Sequence, residues 1–99
     1  MKVRLAEAAL DDLTGIGVFI MEAGSERGEA FVQEITERCL SLGSMPKAYP
    51  LVPRHEASAI RRCVFRQYLI LYRVHSSLVE VLRVVHGARD LDKLLFPDE

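Results

Sequence analysis

Between Ile60 and Val85 the chain reads IRRCVF, YLILYRV and LVEVLRVV, three stretches separated only by Arg66-Gln67 and by His75-Ser76-Ser77. β-branched and aromatic residues dominate all three, which is the composition of strands. Links this short leave no room for a crossover, so the three strands have to be antiparallel neighbours. This meander is the least negotiable part of the fold, and every other element must be arranged around it.

The two turns also suggest a register. If Ser76-Ser77 is a two-residue turn, Arg73 lies opposite Glu80, a cation against an anion. If Arg66-Gln67 is another, Val64 lies opposite Leu69. Alternation then assigns Arg61, Cys63, Phe65, Tyr68, Ile70, Tyr72, Val74, Val79, Val81, Arg83 and Val85 to one face. The other face receives Ile60, Arg62, Val64, Leu69, Leu71, Arg73, Leu78, Glu80, Leu82, Val84 and His86. A slip of one residue in either turn exchanges members between the faces. The first face has more aromatics and fewer charges, so it is the one expected to meet the helices.

Those helices lie upstream. Lys2 to Leu5 alternates as a short strand. Leu10, Leu13, Gly17 and Ile20 then recur at helical spacing, with Asp11 and Asp12 in an early turn that favours acids. Gly15 and Gly17 either weaken this helix or let another element pack close. Ala23-Gly24 ends it. Ser25 is a candidate N-cap for a second helix, in which Phe31, Ile35, Cys39 and Leu42 share a face and Gly43 stands at the stop. The short link makes the two helices an antiparallel hairpin. In SMPKAYPLVPRHEAS, Pro46, Pro50 and Pro53 exclude a helix or a central strand, leaving an ordered loop. After Gly87, ARDLDKLLF has room for a last helical turn or two before Pro97. The expectation is an α+β fold, one domain over residues 1–99, with an N-terminal helix hairpin on one face of a mainly antiparallel four-stranded sheet.

That arrangement leaves one face too many. The second face keeps Val64, Leu69, Leu71, Leu82 and Val84, rimmed by Arg62, Arg73, His86 and Arg89. Strands apolar on both sides are normally covered on both. Either the chain's own Pro-rich loop or tail folds over this strip, or a partner protein does. An apolar strip of that extent favours the partner, and the nine residues together form the expected binding face.

Signals for chemistry are sparse. There is no phosphate-binding glycine loop, no H-E-x-x-H, no G-x-S-x-G and no dinucleotide fingerprint. His55, His75 and His86 lack metal-ligand spacing, and Cys39 and Cys63 read as two buried core thiols rather than a disulfide framework. No metal and no cofactor is expected. His86, beside Gly87 and Arg89, is the one acid–base candidate, although a structural place at a strand end accounts for it equally well. Charge is uneven: residues 1–49 hold five Lys/Arg against eight Asp/Glu, and residues 50–99 eight against six. Seven of those eight are arginines, suited to bidentate contacts with carboxylates or phosphates. They read equally as a partner-facing set and as solvated or ion-paired strand residues. No apolar run is long enough to span a bilayer, and MKVRLAEAALDDL lacks the apolar core of a signal peptide, so a cytoplasmic location is expected.

Leu5, Ala8 and Asp11-Asp12-Leu13, followed by the helix hairpin, YLILYRV and VEVLRVVHGARDL, resemble the RelE/ParE toxin superfamily, and most closely its ParE branch. The resemblance spans nearly the whole chain. It implies a toxin of a type II toxin–antitoxin pair, associated with plasmid stabilisation and held silent by a cognate antitoxin protein. ParE-like members are associated with inhibition of DNA gyrase, without nuclease chemistry. RelE-like members cut messenger RNA in the ribosome, which would bring this chain to RNA indirectly. A RelE-type nuclease places an arginine early in the central strand and a tyrosine near the C-terminal helix. The matching positions here are Leu69 and Leu95. Its second arginine is matched by Arg89, and Arg61 and Arg62 supply basic residues near the first meander strand. His86 could accept a proton, but nothing beside it replaces the missing arginine. The resemblance therefore favours a ParE-like binding toxin over a nuclease. A non-toxic, protein-binding descendant is the third alternative.

Overall fold

The computed structural model describes residues 1–97. The elements in chain order are β1 (Lys2–Leu5), α1 (Glu7–Glu22), α2 (Gly28–Ser41), a single 3-10 turn (Glu56–Ser58), β2 (Ile60–Phe65), β3 (Tyr68–Val74), β4 (Leu78–His86) and α3 (Leu91–Leu95). The sheet order is β1-β4-β3-β2, with β1 parallel to β4 and the remaining pairs antiparallel. The helix hairpin covers one face of this mixed sheet, as the meander and the short helix link required.

Both turn registers hold. Val64 pairs with Leu69, and Arg73 pairs with Glu80. The expected Arg73–Glu80 ion pair does not form. Arg73 Nε donates instead to Ser58 O (3.1 Å), while Glu80 accepts from Arg4 Nη2 (2.8 Å) and has His75 Nε2 at 3.0 Å. Arg4 wins because parallel pairing with β4 sets it opposite Glu80 from the other side. The pair and His75 together hold the Glu80 carboxyl below the usual carboxylate range.

The regular alternation fails further along β4. Tyr72 pairs with Val81, but Leu71 pairs with Arg83, so Leu82 is an extra residue and β4 bulges there. From that point the faces differ from those expected. Val84 joins the core under the hairpin, with Cys63, Ile70, Tyr72, Val79 and Val81. His86 comes opposite Tyr68 on the same side, their rings 5.7 Å apart. Val85 crosses to the second face, beside Leu69 and Leu71.

The cause lies 71 residues earlier. β1 ends at Leu5, and the chain turns into α1 just after Ala6 N donates to Val81 O (2.9 Å). The outer edge of β4 beyond Val81 thus has no neighbouring strand. Asp12 on α1 takes that place: its Oδ2 accepts from Val84 N (2.9 Å) and from Arg83 Nε (2.7 Å), and its Oδ1 from Arg83 Nη2 (2.9 Å). The carboxylate raises the Arg83 guanidinium pKa through these bonds.

The hairpin packs through Ala9, Leu13 and Ile16 of α1 and Ile35 and Cys39 of α2, all buried. Leu10, expected on the core face, is half exposed at 51%. The helix is rotated by about one residue from the expected stripe, and its apolar residues continue around to solvent. Of the two central glycines, Gly17 is the one used for close approach: a Cβ there would stand 3.1 Å from Val32 Cγ2. Gly28 faces it across the hairpin, where a Cβ would meet Gly17 O at 2.8 Å.

The second face is not open. Val52 from the Pro-rich loop and Leu91, Leu94, Leu95 and Phe96 from the tail pack over Ile60, Leu69, Leu71 and Val85. Leu71 is fully buried and Leu69 is 7% exposed. The loop is guided by backbone bonds to the edge of β2, Val52 N to Ile60 O (2.8 Å) and Arg62 N to Pro50 O (2.9 Å), which also blunt that edge. Asp90 caps α3 by accepting from the Asp92 and Lys93 amides. Asp92 ties the helix down, with Arg54 Nη2 at 2.9 Å and His55 Nε2 at 2.8 Å. The His55 ring stacks on Phe96 at 4.0 Å. A five-residue helix is short for a cover, but its three leucines and the following Phe96 fall on one side of a strip only three strands wide.

Candidate functional site

The nine residues of the expected binding face are scattered over both sides of the sheet. Leu69 and Leu71 are core, and half-buried Leu82 packs against the tail residues. Arg62 lines a small cleft beneath α3 with Arg54, Asp90 and Asp92, Arg73 is pinned to Ser58, and Val64 alone stands out, 58% exposed on β2. Val84 is buried on the opposite face. His86 and Arg89 remain together on a concave surface, with Val84 at its base, and it is on the hairpin side of the sheet.

That surface is built where the hairpin overhangs the ends of β3 and β4. Two adjoining hollows of about 320 and 370 Å³ share Phe19 and Tyr68. Phe31, Arg27, Glu34 and Arg66 line the first, and Asp11, His86 and Arg89 the second. The floor is a run of aromatic contacts: Phe31 meets Phe65 edge-on at 5.9 Å and Tyr68 at 5.6 Å, and Tyr68 meets His86. Arg66 lies over Phe31 and Phe65 (5.6 and 5.4 Å) and pairs with Glu34 at 3.0 Å. Its backbone, at φ 55°, is left-handed, as the tight turn requires. Phe19 projects from α1 at 67% exposure. Among the described residues neither Arg27 nor Arg89 has a carboxylate partner. Ala88 N donates to His86 Nδ1 (3.1 Å), which orients the ring.

A second groove runs along the outside of the hairpin. It encloses about 520 Å³ between α1, α2 and Leu5, and its lining is mainly apolar, with Leu10, Val18 and Met21 from α1 and Val32 from α2, beside Thr14, Glu29 and Thr36. Leu10, Val18 and Met21 are 51%, 48% and 61% exposed. Neither groove was expected from the sequence. The signal was there: in EAALDDLTGIGVFIME nearly every turn carries apolar residues beyond those one face can bury.

Among the described residues, no three His, Cys, Asp or Glu side chains gather in a way that could hold a metal ion. No described helix is long and apolar enough to cross a membrane. Cys39 is fully buried, and burial beside Cys63 pushes its thiol pKa up to about 12. Neither cysteine is placed to act as a nucleophile. The site offers aromatic surface and fixed positive charge, which suit recognition more than bond breaking.

Residues 3–91 match the family described as "ParE toxin of type II toxin-antitoxin system, parDE". Among solved structures the chain is similar to one titled "Chromosomal ParDE TA system from P. aeruginosa", with a TM-score of 0.70 and 20% identity over 87% of this chain and 95% of that one. The curated proteins contain no match to the sequence.

Proposed function

Starting from a chain that belongs to the ParE toxin family of type II toxin–antitoxin systems, we infer that this toxin acts by binding DNA gyrase rather than by cutting RNA. The observation that supports this reading is the fate of Leu69 and Leu95. The positions where a RelE-type nuclease carries its central-strand arginine and its tyrosine are occupied here by leucines packed into the second core. A catalytic arginine at residue 69 would have to lie in a layer sealed by Val52 and α3. Arg89 and His86 lie across the sheet from that layer, so they are contact residues in this reading and not catalysts.

Membership of the family implies an antitoxin protein as partner. The apolar groove outside the hairpin suits that partner best. An amphipathic helix lays an apolar ridge into such a groove, and long-lived complexes use more apolar surfaces than transient ones. The reading also takes residues 1–99 as one functional domain and the cytoplasm, where gyrase works on DNA, as the place of action.

The test uses purified protein with purified gyrase and plasmid DNA. Loss of supercoiling, or accumulation of cleaved plasmid on denaturation, is expected at micromolar toxin. A translating extract run in parallel should keep its transcripts intact. Ribosome-dependent cleavage that disappears in Arg89→Ala would overturn the reading in favour of a nuclease.

A further inference from the structure

α1 separates two exposed surfaces that differ in kind. On its outer side, Leu10, Val18 and Met21 open onto a groove whose one charged lining residue is Glu29. On its inner side, Phe19 overhangs the aromatic floor, with Arg27 at one end and Arg89 and His86 at the other. The first has the composition of a permanent interface. The second has that of a transient one: aromatic anchors surrounded by arginines, the residue types that carry most binding energy per side chain.

Resting on the reading above, we propose that the Phe19–Tyr68 groove docks the toxin's target, and that it does so independently of the antitoxin groove. The recognised element is a protein segment with an apolar or aromatic anchor between carboxylates. The anchor sits between Phe19 and Tyr68, and the carboxylates meet Arg27 and Arg89.

Charge distribution selects this chemistry over a nucleic-acid strand. A phosphate backbone crossing both hollows would pass Glu34 in one and Asp11 in the other. Glu34 already neutralises Arg66 at 3.0 Å, and Asp12 neutralises Arg83. What remains is two arginines at separate ends with Asp11 between them, too little positive charge for a polyanion. It matches two discrete carboxylates flanking an apolar side chain.

The experiment compares wild type, Phe19→Ala/Arg89→Glu, Arg27→Glu, Arg89→Lys and Val18→Glu. All five changes are at exposed positions, and thermal melts confirm that each variant folds. Each is assayed for cleaved plasmid with purified gyrase, for growth arrest on induction, and for affinity to the cognate antitoxin. The double variant and Arg27→Glu should need about tenfold more protein to act on gyrase, with arrest weakened in parallel, while antitoxin affinity stays within about threefold. Arg89→Lys, which keeps the charge but loses the planar fork, should fall between wild type and the double variant. Val18→Glu should do the reverse, losing antitoxin affinity and keeping toxicity.

If the double variant poisons gyrase like wild type, the groove is not the docking site. If target and antitoxin binding fall together in it, the two surfaces are not independent. Tight binding of a single-stranded oligonucleotide that Arg27→Glu abolishes would replace the peptide by nucleic acid and overturn the proposal. Should wild type leave gyrase untouched, the gyrase reading fails, and growth arrest alone decides: arrest lost in the double variant upholds the groove, and arrest retained rejects it.

Discussion

Replacing Asp12 by alanine should cost this fold a large share of its stability. The carboxylate takes three hydrogen bonds, two from the Arg83 guanidinium at 2.7 and 2.9 Å and one from Val84 N at 2.9 Å. Asp12 is 15% exposed and Arg83 28%, so water competes only in part. Hydrogen bonds involving a charged group contribute about 1.5–3 kcal/mol each, and a backbone amide left without its acceptor costs about 1 kcal/mol or more. Arg83 can turn to solvent and recover some hydration, which brings the total down to about 3 kcal/mol. For a domain of this size that lowers Tm by about 12–24 °C. Asp12→Asn keeps an acceptor for Val84 N and should lose about half as much. Thermal and urea melts of Asp12→Ala, Arg83→Ala and the double variant give the coupling, expected to exceed about 1 kcal/mol. Hydrogen exchange at the Val84 amide should also accelerate in Asp12→Ala. A loss below about 1 kcal/mol, or single-variant costs that simply add, would show that Asp12 does not hold the β4 edge.

Three further outcomes follow from the same geometry. Leu69→Arg, which restores the nuclease-type residue, should put an uncompensated charge into a layer only 7% accessible and destabilise the protein by about 3 kcal/mol or more without conferring RNA cleavage; melts and a transcript assay check both halves. With its pKa at about 12, the Cys39 thiol should react with a disulfide reagent at pH 8 only as the protein unfolds, so labelling in urea should be faster than in buffer by about two orders of magnitude. Glu80 has its carboxyl lowered from 4.5, first by Arg4 and then by His75. The stability it contributes is therefore present above its ordinary value and lost as pH falls through the lowered one; Arg4→Ala should flatten that acid limb in melts between neutral pH and about pH 3.

The elements themselves were legible because their causes are local. Two-residue links force antiparallel neighbours and with them the Val64–Leu69 and Arg73–Glu80 pairings. Three prolines made a loop of residues 44–58 apart from one 3-10 turn. Gly43 follows the end of α2, and Gly24, at φ 91°, follows the end of α1. The resemblance to the ParE branch likewise rested on strings that any reader of the sequence could see.

The site was not legible, because its causes are distant in the chain. A bulge has no side-chain signature of its own. This one lies where Asp12, 71 residues away, pins Arg83 and Val84, and beyond it Val84, Val85 and His86 occupy the faces opposite to those that alternation assigned. Whether a strip of leucines is open or covered depends on where a short tail lands, and here Asp92, Arg54 and His55 hold it down over Leu69 and Leu71. Periodicity along one strand can say that a side chain is apolar and which neighbours alternate with it. Only the assembled layers decide which apolar side chains stay exposed, and here Leu10, Val18, Phe19 and Met21 of α1 do.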